Sequence, residues 1–247
     1  MRALLRLIWA TVHAVHGWLV IVFLFPRLSE EQREWRVQIW ANGLLRCLGV
    51  RLELQGTPPA TGPVLLVANH ISFLDILVMH AARHCRFVSK ADVKRWPMIG
   101  TLATGGGTLY IERESRRDAM RVVHQMAERL REGDVLAVFP EGTTSDGRSL
   151  LPFHANLLQA AISTEVPVQP VALSFVDGRT REMSLAPCYI GDDTLLGSIW
   201  RTLGARDLVA VVCFGRPQSA QGRDRRTWAA QLRDEILMLR DQPKRRA

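Results

Sequence analysis

The chain has 247 residues and a formal charge of +8, with 47% apolar and 23% charged residues. Those proportions are globular and exclude a disordered or collagen-like chain, and this length buries a core without covalent staples. The charge points to an anionic partner (nucleic acid, a phosphorylated substrate or an anionic membrane), while the scattered Cys47, Cys85, Cys188 and Cys213 fit neither a zinc site nor a disulfide scaffold.

Residues 7–25 contain no Asp, Glu, Lys or Arg. Nineteen helical positions at ~1.5 Å each nearly match a hydrocarbon core of ~30 Å. Arg2 and Arg6 resemble the charged start of a signal peptide, but no small-residue cleavage site follows Phe25. Residues 30–48 place Val37, Trp40, Leu44 and Leu48 at helical spacing among polar residues. Trp9, Trp18, Trp35 and Trp40 fall in the first forty residues, and tryptophan favours the headgroup layer of a bilayer. A membrane-associated helical hairpin over 1–49 is expected, with two helices packed on a soluble core as the alternative.

From residue 62 onward short apolar runs alternate with helical patterns. Strands are expected at 64–68, 86–89, 108–111, 135–139, 168–175 and 208–214. Helices are expected at 72–82, 94–103, 117–131, 155–163 and 228–239. Strands without polar alternation, separated by helices, imply an α/β fold whose mixed, largely parallel sheet is covered by helices. The division expected is hairpin 1–49, catalytic domain 50–240 and basic tail 241–247.

The strand at 64–68 runs directly into Asn69-His70-Ile71-Ser72-Phe73-Leu74-Asp75. In such sheets ligands gather at the carboxyl ends of strands. On one regular helix His70 and Asp75 would stand about 140° apart and could not touch. Ser72 and Asp75, however, have capping-box spacing. With Ser72 as N-cap, the Asp75 carboxylate turns back toward His70 in the extended segment before it. A carboxylate on one imidazole nitrogen fixes the tautomer and leaves the other nitrogen to accept a proton from a hydroxyl. On geometry alone such a pair is more often a capping arrangement than a catalytic one. Phe139-Pro140-Glu141-Gly142-Thr143 follows another buried-type strand and reads as an anion-binding turn or simply a turn. Arg113 follows the strand at 108–111, where an ordinary solvated arginine is the plain alternative.

Asn69-His70 with Asp75, Tyr110-Ile111-Glu112-Arg113, Phe139-Pro140-Glu141-Gly142-Thr143 and Val166-Pro167-Val168-Gln169-Pro170 resemble the four ordered blocks of the glycerolipid acyltransferases. The bacterial 1-acyl-sn-glycerol-3-phosphate acyltransferase and lysophospholipid acyltransferase group is the nearest likeness, over roughly residues 50–215. The resemblance implies transfer of a fatty acyl group from acyl-CoA or acyl carrier protein to a lysolipid hydroxyl, without cofactor or metal. The expected acceptor is 1-acyl-sn-glycerol-3-phosphate, giving phosphatidic acid. His70 would be the base and Asp75 its orienting partner. Asn69, Arg113, Glu141, Gly142, Thr143 and Pro167 would bind substrate.

Thr144 stands where the family commonly has arginine, and His154 where relatives often carry lysine. Both changes lower fixed positive charge and leave lyso-ornithine lipid or another lysolipid as an alternative acceptor. The chain has no G-x-S-x-G elbow, P-loop or dinucleotide fingerprint, and no nucleic-acid-binding signature. A nucleic-acid partner is therefore not expected. A non-enzymatic peripheral membrane protein explains the charge and the N-terminus, but not why His70, Arg113 and Glu141 each follow a strand. The expected location is the cytoplasmic face of the inner membrane, monotopic or anchored by the N-terminus.

Overall fold

A computed structural model describes residues 1–111 and 116–241. The N-terminal segment forms helix α1 (Arg2–Phe23), which a short turn at Phe25–Arg27 joins to α2 (Glu30–Leu48). Ser29 and Gln32 close a reciprocal capping box at the start of α2, and Gly49 ends it in the left-handed conformation. His13 and Trp40 fasten the two helices. The ring nitrogen Nε2 of His13 lies 2.9 Å from the Trp40 carbonyl, and the Trp40 indole N–H donates to the His13 carbonyl at 3.1 Å. Gly17 is required beside them, because a Cβ there would lie 2.1 Å from the Trp40 indole nitrogen. The polar and small residues that interrupt the apolar run thus make the helix–helix contact.

The strands are β1 (Val50–Gln55), β2 (Val64–Ala68), β3 (Arg86–Lys90), β4 (Leu109–Ile111), β5 (Val135–Val138), β6 (Val168–Asp177) and β7 (Leu208–Phe214). They form one sheet in the order β1-β7-β6-β2-β5-β3-β4. Every neighbouring pair is parallel except β6 with β7. The largely parallel sheet expected from the unbroken apolar strands is present. Along β2, Val64, Leu66 and Ala68 join the core on one face while Leu65 and Val67 join the core on the other. That two-sided burial explains the absence of polar alternation.

The remaining helices are α3 (Leu74–Ala82), α4 (Ile99–Gly105), α5 (Arg116–Arg131), α6 (Gln159–Thr164), α7 (Leu195–Gly204) and α8 (Arg225–Asp241). The hairpin, α3 and α7 contribute to the core with Val64 and Leu66; α5, α6 and α8 contribute to the core with Leu65 and Val67. The helix expected at 94–103 is divided. A 3₁₀ turn at Ala91–Arg95 ends before Pro97, and α4 begins at Ile99. Proline forces the residue before it out of the helical region, and Trp96 is extended at φ −70° and ψ 127°.

Helix α1 has one packed face and one open face. Its inner face, with Ala10 and Gly17, is buried, whereas Leu4, Leu5, Ile8, Trp9, Val12, Val15, Leu19, Val22 and Phe23 form an open apolar stripe. By length and composition α1 could cross a membrane. It is nevertheless tied to the domain at both ends. Arg6 donates to the carbonyls of Leu203 and Ala205 at the end of α7, and Ile21 packs against Gly105 of α4.

Candidate active site

β2 lies inside the sheet between β5 and β6, and His70 follows its carboxyl end. Nδ1 of His70 lies 2.8 Å from Oδ2 of Asp75. The Asp75 side chain is fully buried, while that of His70 is 19% exposed. The carboxylate turns back as the spacing suggests, by a slightly different route. Oδ2 accepts the backbone N–H groups of Ile71 at 2.6 Å and Ser72 at 2.9 Å together with the imidazole. Ser72 does not cap Asp75; its hydroxyl accepts the Leu74 N–H at 3.2 Å and donates to the Pro187 carbonyl. Three donors on one buried oxygen fix the carboxylate in place, and its contact with Nδ1 orients the imidazole. Among the described residues nothing hydrogen-bonds Nε2 of His70, so it is available as a base.

The other histidines differ. His13 belongs to the hairpin contact, and His124 is a surface residue paired with Glu128. Burial pushes His80 down to about 3 and His84 to about 4, so both stay neutral in the core. His154 lies beside Gly142: a Cβ on that glycine, whose φ is +71°, would come within 2.9 Å of the His154 ring.

Residues 141–145 fasten both backbone groups of His70. Oε1 of Glu141 accepts its N–H at 2.8 Å, and its carbonyl accepts the Ser145 N–H at 2.9 Å. Gly142, Thr143 and Thr144 bridge these two anchors, and Gly142 and Thr143 are exposed there. Glu141 itself is buried, and its Oε2 accepts the Leu151 N–H at 2.8 Å. Burial pushes its carboxyl above the ordinary range, against the two backbone donors. Both oxygens are engaged inside the fold, on the backbone of His70 and Leu151, where substrate binding was the expected role.

Two more expected binding residues are held within the fold or set apart from His70. Asn69 is fully buried, donates to the Leu173 carbonyl at 3.0 Å and accepts the Leu173 N–H at 2.7 Å. It extends the β2–β6 ladder by one side-chain rung. Pro167 precedes β6, whose Val168 pairs with Leu65, whereas His70 lies beyond Ala68, which pairs with Val171. At ~3.3 Å per residue, Pro167 is more than 10 Å away at the opposite edge of the sheet. Gly142 and Thr143 do lie beside His70. Arg113 and its neighbour Glu112 fall outside the described residues, as does the tail from residue 242.

Several further contacts support His70 and its loop. The Phe139 ring stacks under the His70 imidazole, with centroids 4.1 Å apart and planes 8° from parallel. Arg233 and Arg240 of α8 donate to the carbonyls of Leu150 at 2.7 Å and Gly147 at 2.6 Å, holding the loop from below. The hydroxyl of Thr144 donates to the Tyr189 carbonyl. An apolar cleft of about 260 Å³ lies elsewhere, between α1, α2 and α4, and is lined by Gly17, Ile21, Trp35, Trp40, His80 and Leu102.

Comparison with known proteins agrees with this arrangement. A family model described as Acyltransferase matches residues 50–174. A lyso-ornithine lipid O-acyltransferase of Pseudomonas aeruginosa is 39% identical over 200 residues, covering 81% of this chain and 76% of that protein. A 1-acyl-sn-glycerol-3-phosphate acyltransferase of Neisseria meningitidis serogroup B is 35% identical over 211 residues, covering 83% and 81%. The crystal structure of the 1-acyl-sn-glycerophosphate acyltransferase PlsC from Thermotoga maritima superposes over 99% of this chain and 100% of that one with a TM-score of 0.66; at 18% identity this likeness concerns the fold. With the matched region running from β1 into β6 and enclosing the His70–Asp75 pair, the chain belongs to the acyltransferase family and is an acyltransferase.

Proposed function

We propose that the protein moves a fatty acyl group from a thioester, acyl-CoA or acyl carrier protein, to the free hydroxyl of a lysolipid, with His70 as general base. The observation that carries this reading is the 2.8 Å contact between His70 and buried Asp75, with the opposite imidazole nitrogen open. The acceptor hydroxyl gives its proton to Nε2 as its oxygen bonds the thioester carbon. Asp75 stabilises the imidazolium. The tetrahedral centre then expels the thiolate, which takes the proton back from His70. The step needs no covalent enzyme intermediate, metal or cofactor. His70 accepts the one proton that moves from the hydroxyl and passes it to the thiolate.

The leading acceptor is 1-acyl-sn-glycerol-3-phosphate, giving phosphatidic acid. One feature favours lyso-ornithine lipid as the second reading: Thr144 offers a hydroxyl, already bonded to Tyr189, where the family commonly has a guanidinium suited to a phosphomonoester. Offering the purified protein several lysolipids with both donor types, and reading products by mass spectrometry, tests the proposal. Acyl transfer to none of them would overturn it. Thr144→Arg is expected to move the acceptor ranking toward lysophosphatidic acid; an unchanged ranking would show that this position does not read the headgroup.

Membrane association on the cytoplasmic face follows from the same chemistry. Cytosolic thioester donors must reach His70, and Arg2 and Arg6 favour the cytoplasmic side. Because α1 is tied to α7 and α4, crossing the bilayer would drag polar parts of both into hydrocarbon. A helix lying in one leaflet, open apolar stripe inward, avoids that cost. A cysteine in place of the exposed Glu31 is therefore expected to resist an impermeant thiol reagent added outside intact cells and to react after lysis. Labelling from outside, above the level of the parent protein, would refute the one-leaflet arrangement.

A further inference from the structure

The catalytic domain exposes a second apolar element at the edge of the sheet that carries His70. β3 ends at Lys90 and runs parallel to β5, which runs parallel to β2. Two strand spacings of ~4.8 Å place the end of β3 about 10 Å to the side of the His70 strand. From there the chain makes the turn Ala91–Arg95 and enters α4 through Trp96, Pro97 and Met98. All six residues from Lys94 to Ile99 are exposed. Trp96 is 47%, Met98 36% and Ile99 41% exposed.

The backbone holds these side chains out. Pro97 keeps Trp96 extended, and Met98 has φ +61°, a conformation that an L-residue adopts at a cost. The Ile99 N–H donates to the Pro97 carbonyl and the Gly100 N–H to the Trp96 carbonyl, which closes the turn. Within residues 90–99, Lys90, Lys94 and Arg95 flank the apolar tip against one acid, Asp92, and Lys94 lies 5.7 Å from the Tyr110 ring centroid. A tryptophan with aliphatic neighbours and a basic collar is the composition suited to the boundary between headgroups and acyl chains.

Continuity with α1 identifies the occupant. α4 packs its far end, Gly105, against Ile21 of α1, one residue before Val22 and Phe23 in the open apolar stripe. Six residues of helix separate Ile99 from Gly105, about 9 Å. A single helix lying flat in a leaflet leaves the domain free to roll about its axis. A second contact away from that axis removes this freedom, and here it would do so beside the strand ends.

We propose that Trp96, Met98 and Ile99 form a second membrane contact, inserted in the leaflet that receives α1, with Lys94 and Arg95 against anionic lipid headgroups. The contact sets the roll of the domain, so that the edge bearing His70 faces the lipid surface from which the acceptor comes. This proposal rests on the membrane reading of α1.

The test is sedimentation of the full chain with vesicles of phosphatidylcholine alone and of phosphatidylcholine with about one-third phosphatidylglycerol. The triple variant Trp96→Ser, Met98→Ser, Ile99→Ser is expected to lose about tenfold or more in partitioning onto both, since burial of even one such side chain favours the membrane by that factor. Lys94→Glu with Arg95→Glu is expected to lose partitioning on the anionic vesicles alone. Both variants should keep wild-type thermal midpoints and wild-type turnover of a water-soluble short-chain lysolipid. Wild-type protein that stays in the supernatant refutes the membrane reading and this proposal together. Wild-type binding matched by the triple variant refutes this proposal alone. A triple variant that binds vesicles normally but loses turnover with acyl carrier protein and not with acyl-CoA would make the patch a protein-docking surface and overturn the proposal.

Discussion

His70→Ala is expected to lower kcat/KM for acyl transfer by at least ~10², toward ~10⁴, the range for losing a positioned general base. The circular dichroism spectrum should remain that of the parent, because the imidazole is partly open and its neighbours Phe139 and Asp75 are held by other contacts. Asp75→Asn should approach the same loss by another route. The amide oxygen of asparagine can still accept from Ile71 and Ser72, but it no longer holds a developing imidazolium with a negative charge. Product formation measured by mass spectrometry, with donor saturating and acceptor varied, gives both values. A His70→Ala protein that turns over near the parental rate would remove His70 from the mechanism. A normal Asp75→Asn protein would reduce that carboxylate to a helix-start device.

The sequence made the His70–Asp75 contact legible because its determinants are local. Six residues at a strand-to-helix junction, His70 to Asp75, contain the base, the carboxylate and the backbone donors that bend one toward the other. The sheet was legible for a similar reason, since a strand buried on both faces must be apolar throughout, as Val64–Ala68 is. What escaped depends on distant parts of the chain. β1 pairs only with β7 at the sheet edge, and its alternating polar residues weaken the strand pattern. α7 differs in carrying a local signal, the cap at Thr194, which accepts the Gly197 N–H. Membership in a motif does not say which way the side chains of Asn69, Glu141 and Pro167 are turned. Asn69 faces Leu173 and Glu141 faces a backbone N–H, each more than seventy residues away in sequence. Pro167 lies at the wrong end of its strand, which only the register reveals.

Glu141 therefore offers the sharpest discrimination between a binding residue and a positioning one. Its two oxygens hold the N–H groups of His70 and Leu151, and Arg233 and Arg240 secure the same loop from α8. Glu141→Ala removes the acceptor of two half-buried donors, and charge-assisted hydrogen bonds contribute about 1.5–3 kcal/mol each, so a loss of about 3 kcal/mol is expected. For a chain of this size that lowers Tm by roughly 6–12 °C. Freed from Glu141, the His70 backbone no longer has a fixed position relative to the acceptor hydroxyl, and kcat should fall with little change in KM for the lysolipid. Glu141→Gln keeps one acceptor oxygen but turns an NH₂ group toward the other N–H, so it should fall between parent and alanine in both Tm and kcat. Thermal unfolding and steady-state kinetics on the three proteins decide the matter. A Glu141→Ala protein with unchanged Tm and kcat but a raised acceptor KM would return this carboxylate to the headgroup site that its motif suggested.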